Sequence, residues 1–234
     1  MSYRLELGKI DLATYDIGVG DITDVAGKRA IVVQSHAKTR GLAAVLTNVD
    51  DTFTSWIDVE TGRPLRWAVE ESTSEGSVRE RTDARLAERA EDVVPVDVWV
   101  NDVPKQEPQK VSLPDVWDYN SYLMALRAWE APPGSTVSAE VFRSRYMWNV
   151  TITVAGEEKV VTDMGEFPTL RFDAHAHRLE RDGSKSKDPE RQFSIWISND
   201  QGRVPVQTVG RTDYGDIKLS IVDYQPGNGE RLRP

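Results

Sequence analysis

The chain has 234 residues, 29 basic against 38 acidic side chains for a formal net charge of −9, and no cysteine. Without Cys there is no disulfide framework, thiolate metal site or cysteine nucleophile; the acidic balance argues against nucleic acid, which needs a cationic face. No apolar run approaches the ~18–20 residues of a membrane-spanning helix, and the opening residues from Met1 to Glu6 read as folded sequence rather than as a leader.

Alternation of apolar and polar residues dominates in chain order. Strands are read at Lys28 to Gln34, Thr52 to Asp58, Leu65 to Glu70, Ser77 to Leu86 and Thr136 to Phe142. Further ones are read at Trp148 to Ala155, Lys159 to Thr162, Phe167 to His177, Phe193 to Ser198, Val204 to Thr212 and Asp216 to Tyr224. They are rich in Val, Ile, Thr, Trp and Tyr, as a half-buried pleated surface favours. Asn199 to Gly202, and Ala155 to Glu157, have the chemistry of hairpin turns.

One helix is predicted at Asp115 to Glu130, where Val116, Tyr119, Leu123, Leu126 and Trp129 recur at helical spacing between Pro114 and the stop Pro132-Pro133-Gly134. A shorter one is read at Thr39 to Leu46. Asn101 to Leu113 and Leu179 to Arg191 read as loops, the second as a long exposed hairpin tip. The expected fold is mainly β: a single antiparallel meander forming a closed or partly open curved β-barrel, with the main helix at about 115–130 packed on or in it. One domain is expected over 1–234, with its core at about 3–224 and an irregular tail at 225–234.

Four segments resemble a known family. These are GLAAVLTNVDDTFTSWIDVETGRPLRW (Gly41 to Trp67), DVWDYNSYLMALRAWEAPPGSTV (Asp115 to Val137), Glu158 to Phe167, and FSIWISNDQGRVPV (Phe193 to Val206). In this order they are similar to the DUF3108 family of bacterial proteins: a strand ending in Ser55-x-x-Asp58, a helix carrying Ser121 and Arg127, and a hairpin reading Ser198-x-Asp200-x-x-Arg203-x-Pro205. The resemblance implies a curved β protein of the bacterial envelope, hence a periplasmic location, and supplies no catalytic residues or cofactor.

Asp173, His175 and His177 alternate along one strand, so a carboxylate and two imidazoles project to one face, a donor set suited to zinc or non-haem iron. The same alternation turns Ala174 and Ala176 to the core and the polar trio to water. Neighbours on that face also sit ~6–7 Å apart along the strand. His36 reads as a strand-end residue. Ser35 and His36 point to opposite faces and no Gly-x-Ser-x-Gly elbow occurs, so no hydrolase triad is read. Paired acids such as Asp50-Asp51 and Glu157-Glu158 diverge on a strand and make no glycosidase site.

The chain has seven Trp. Core packing is one role for them. The other is a cavity under the helix in which Trp117, Tyr122, Trp129 and Trp196 hold a hydrophobic or lipid-like molecule, with Arg127 either anchoring an anionic head group or pairing with a rim carboxylate. Asp200 is expected to cap its turn, and Pro205 to sit at an edge or bulge. The favoured function is therefore a non-catalytic binding or structural protein. The alternatives are a metal-dependent enzyme using the two-histidine-one-carboxylate strand, and a module that docks a protein partner on a sheet edge or near Lys185.

Overall fold

The computed structural model describes residues 1–41, 43–46, 48–72, 79–212 and 215–227. In chain order its elements begin β1 (Ser2–Leu7), β2 (Ile10–Val25), β3 (Lys28–Thr39), helix α1 (Ala43–Leu46), β4 (Asp50–Asp58), β5 (Pro64–Ser72) and β6 (Arg79–Ala84). They continue with β7 (Val93–Val94), β8 (Val96–Val100), β9 (Val103–Gln106), β10 (Gln109–Lys110), β11 (Val116–Asp118) and helix α2 (Tyr119–Ala128). The last group is β12 (Thr136–Arg143), β13 (Tyr146–Thr162), β14 (Gly165–Leu179), β15 (Arg191–Ser198), β16 (Pro205–Thr212) and β17 (Gly215–Asp223).

Among the described residues fifteen strands form one sheet, and the chain enters it in the middle. β1 pairs with β17 on one side and β2 on the other, so a meander runs outward in each direction, to β9 at one end and β11 at the other. All neighbours are antiparallel except β11, which runs parallel to β12. β7 and β10 make a separate two-stranded pair.

The two ends of the sheet are joined by side chains instead of a backbone ladder. Trp67, Val69, Ala84, Val96 and Val98 from one arm share an apolar cluster with Val116, Phe142, Met147 and Leu179 from the other. Trp67 Nε1 donates to the Ser144 carbonyl at 3.0 Å, and Ser144 Oγ donates to Glu71 across the same seam. Arg145 meets Glu80 at 3.0 Å, and Arg181 meets Glu107. Glu140, only 1 % exposed, accepts from the Ser112 and Leu113 amides and fastens the strap between β10 and β11 to β12. The barrel is thus partly open as a ladder and closed by packing.

Helix α2 lies inside this curve. Tyr122 and Leu126 join one apolar cluster with Val150, Ile152, Phe172 and Ile197. Leu123 joins another with Tyr3, Ile17, Val33 and Ile221.

Several expectations need correction. The helix was expected from Asp115, but Val116–Asp118 is a strand and the helix begins at Tyr119, because Asp118 caps it. Ala155 to Glu157 is no hairpin: β13 runs through it, with a register shift at Gly156, whose φ of +132° lets the strand bulge and bend. Asn101 to Leu113 is no plain loop either. Asn101 and Asp102 both take positive φ, 49° and 63°, and turn β8 into β9 as a tight hairpin. Leu179 to Arg191 is tied down, since the Lys110 amide donates to the Arg181 carbonyl at 2.9 Å and Gln109 Nε2 to the Glu180 carbonyl. Strands β1 and β2 were not anticipated. The short helix read at Thr39 to Leu46 shrinks to Ala43–Leu46. Leu42, Ser77, Val78 and the tail from Asn228 lie outside the described residues.

Candidate functional site

Inward positions of β3 and β4 carry serines where their neighbours are apolar. In register, Ser35 faces Phe53 and Val33 faces Ser55. These two small hydroxyl residues receive the start of α2. Asp118 Oδ1 accepts from Ser55 Oγ at 2.7 Å and from the Ser121 amide at 2.8 Å, while the Asp118 amide donates to Ser121 Oγ, which completes a capping box. Asn120 Oδ1 accepts from Ser35 Oγ at 3.0 Å. Ser35, Ser55, Asp118, Asn120 and Ser121 are each 2 % exposed or less. Burial pushes the Asp118 carboxyl up to about 6, against the pull of the Ser121, Ser55 and Asn120 donors. Burial likewise raises the phenols of Tyr119 and Tyr15, whose rings meet edge-on with centroids 6.4 Å apart.

The other end of α2 is held by a reciprocal pair of arginines. Arg127 donates through Nε to the Arg203 carbonyl at 2.7 Å and through Nη2 to the Gly202 carbonyl at 2.8 Å. Arg203 donates through Nε to the Arg127 carbonyl at 3.0 Å and through Nη2 to the Trp129 carbonyl at 2.9 Å. Helix C-termini leave carbonyls without intrahelical partners, and a guanidinium suits them both as donor and as charge. The β15–β16 turn that carries Arg203 is built by its own motif. Asp200 Oδ1 accepts from the Gly202 and Arg203 amides and from Ser198 Oγ, and Ser198 Oγ accepts from the Val204 amide. Pro205 sits where the β15–β16 register shifts, as expected of a residue without an N–H.

The residues predicted to form a site are thereby distributed. Arg127 donates to the backbone carbonyl oxygens of Gly202 and Arg203. Trp117 and Trp129 pack with Tyr122 against the α2 cluster, Trp129 stacking on Phe172 at 5.8 Å and Trp117 lying under Arg63 at 4.3 Å. Trp196 belongs to the cluster around Leu123 and donates to Glu158 at 2.9 Å. Among the described residues two depressions have volumes of ≈ 170 and ≈ 260 Å³. Neither is lined by Arg127, Trp117, Tyr122, Trp129 or Trp196, and both fall below the ~300 Å³ at which ligand pockets start.

The metal set does not assemble. Asp173, His175 and His177 share a face of β14, but Asp173 Oδ1 is engaged by Arg171 at 2.8 Å and by Ser194 at 2.6 Å. Among the described residues no three His, Cys, Asp or Glu side chains are grouped to hold a metal ion. Burial and Lys185 lower the His177 pKa, as for an imidazole kept neutral beside a cation. The 2.7 Å Ser55–Asp118 contact has the reach of a nucleophile and its base, yet both residues are fully enclosed.

Sequence reasoning missed Ser35, Ser55, Asp118 and Asn120 as a unit. The available signal was a lone serine at an inward position within each of two apolar strands, VVQSHA and TFTSWID. Glu140, buried between Ala139 and Val141, carries the same signal.

A family model described as "Protein of unknown function (DUF3108)" matches residues 2–222. Among curated proteins no relative matches. A crystal structure of a β-barrel-like protein of the domain of unknown function DUF1849 from Brucella abortus is similar over 94 % of this chain and 93 % of its own, with 11 % identity and a TM-score of 0.57. That likeness is one of fold.

Proposed function

The chain belongs to the DUF3108 family, and from that premise we propose that it is a non-catalytic binding or structural protein of the bacterial cell envelope, built as a barrel filled by its own helix. One observation carries the reading. Of the polar residues of the family-like motifs, Ser55, Ser121, Arg127, Asp200 and Arg203 hold α2 or its receiving turn in place, while Asp58 holds the β4–β5 turn through the Glu60 amide. A partner then meets the outside of the barrel. A lipid-like cargo would need the space taken by Tyr122, Leu123 and Leu126, all under 9 % exposed, so it enters only if α2 moves aside. The envelope location rests on the family resemblance, and fractionation of cells expressing the tagged protein tests it.

Native mass spectrometry of the gently purified chain tests the rest. The bare polypeptide mass is expected. Stoichiometric zinc or iron lost in the His175→Ala, His177→Ala double variant would overturn the non-catalytic reading, and a co-purifying lipid would overturn the filled interior.

A further inference from the structure

Asp118 is an unusual way to begin a helix inside a barrel. Its carboxylate is fully enclosed: Oδ1 takes the bonds from Ser55 and Ser121, while Oδ2 is buried without a hydrogen-bond partner. No salt bridge reaches it among the described residues. Ser55 of β4 and Ser121 of α2 bind it directly, and Ser35 of β3 and Tyr15 of β2 meet its neighbours Asn120 and Tyr119. Strand β5, packed on β11, carries Arg66, Glu70 and Glu71, the last held by Ser144. On β12, Phe142 lies beside it in register, Glu140 is held by Ser112 and Leu113, and Arg143 acts on Tyr119 and Tyr15. An ionised carboxylate with one unpaired oxygen in such a place costs far more than a neutral carboxyl does.

We propose that the first turn of α2 is a latch controlled by protonation of Asp118: neutral Asp118 keeps it seated in the barrel, and ionised Asp118 loosens it while the arginine clasp retains the other end. Arg127 and Arg203 keep their charge at every pH of interest, so the two ends of the helix respond differently. The latch is a property of α2 whether or not the barrel takes a ligand.

The sign is fixed by the raised pKa. In the seated helix the carboxyl titrates at about 6, against an ordinary value of 3.8 once exposed. Seating is therefore strongest at acid pH and weakens as pH rises, levelling off above the folded value. A gap of that size raises the opening constant by roughly tens-fold between pH 4 and pH 8.

Hydrogen exchange on the full chain, corrected for intrinsic rates, reads this directly. Protection at Tyr119 to Leu123 is expected to fall by tenfold or more from pH 4.5 to pH 8, relative to the β13 amides of Val150 to Val154. In Asp118→Asn, which keeps a capping acceptor but cannot ionise, protection is expected to stay flat. Equal protection at both pH values in the wild type, or the same fall in Asp118→Asn, overturns the proposal. The Asp118 ¹³Cγ shift of the wild-type chain gives a second reading that needs no variant. A midpoint coinciding with the fall in protection supports the latch, and an ordinary carboxyl midpoint overturns it.

Discussion

Replacing Trp67 with Ala is expected to lower stability by about 4–6 kcal/mol, roughly 3–5 from the emptied core site and about 1 from the lost hydrogen bond. Trp67 has no exposed surface, stacks on Phe53 with ring centroids 5.9 Å apart and reaches across the seam to the Ser144 carbonyl. It stands where one arm of the sheet meets the other without a ladder, so its loss removes apolar surface from both arms at once. For a domain of this size the melting temperature should drop by on the order of 10–20 °C. Trp67→Phe keeps most of the packing and loses the N–H, so a loss of only about 1–2 kcal/mol is expected. Urea denaturation followed by tryptophan fluorescence and by circular dichroism measures both variants. If Trp67→Ala costs no more than Trp67→Phe, the seam is held by something other than side-chain packing.

Arg203→Ala should cost about 3 kcal/mol, because two bonds from a charged donor to the Arg127 and Trp129 carbonyls vanish together. Lys is no substitute, since a single ammonium cannot span two carbonyls as the planar fork does. Arg203 also holds a positive φ of 47°. Gly would relieve that backbone strain, so a purely local turn role predicts Arg203→Gly to be neutral or stabilising. The clasp predicts a loss for Gly as well, smaller than for Ala by about 1 kcal/mol. Combined with Arg127→Ala, the effect should be well short of additive, because each single change already loosens the shared helix end. Full additivity would mean that the two arginines act separately.

Much of this architecture is visible in the sequence, and the parts that are not share a cause. Alternation reveals a strand only where one face is buried. Strands β4, β5 and β14 announce themselves, since apolar residues line one side of each. The distal half of β2 is exposed on both faces from Gly18 to Asp24, and β9 is exposed at every position, so neither carries a period-2 signal. Val116 fits a helical period as well as a strand one, and only the cap at Asp118 marks where the helix starts. The site was legible as residues but not as relations. Arg127 and Arg203 stand 76 positions apart, and Ser55 and Asp118 stand 63 apart, distances over which no local pattern speaks. Asp173, His175 and His177 show the reverse: a local pattern that suggests chemistry, answered by Arg171 and Ser194 binding the carboxylate first.

Xenon offers the sharpest check, because the gas settles into any dry apolar void a protein encloses. A crystal of the chain pressurised with xenon should show no atom of it between α2 and the strands around Tyr122, Leu123 and Leu126, the space being taken by the helix. A well-occupied xenon site beneath Leu123 or Leu126 would mean that the barrel is hollow, and that α2 covers a chamber instead of filling one.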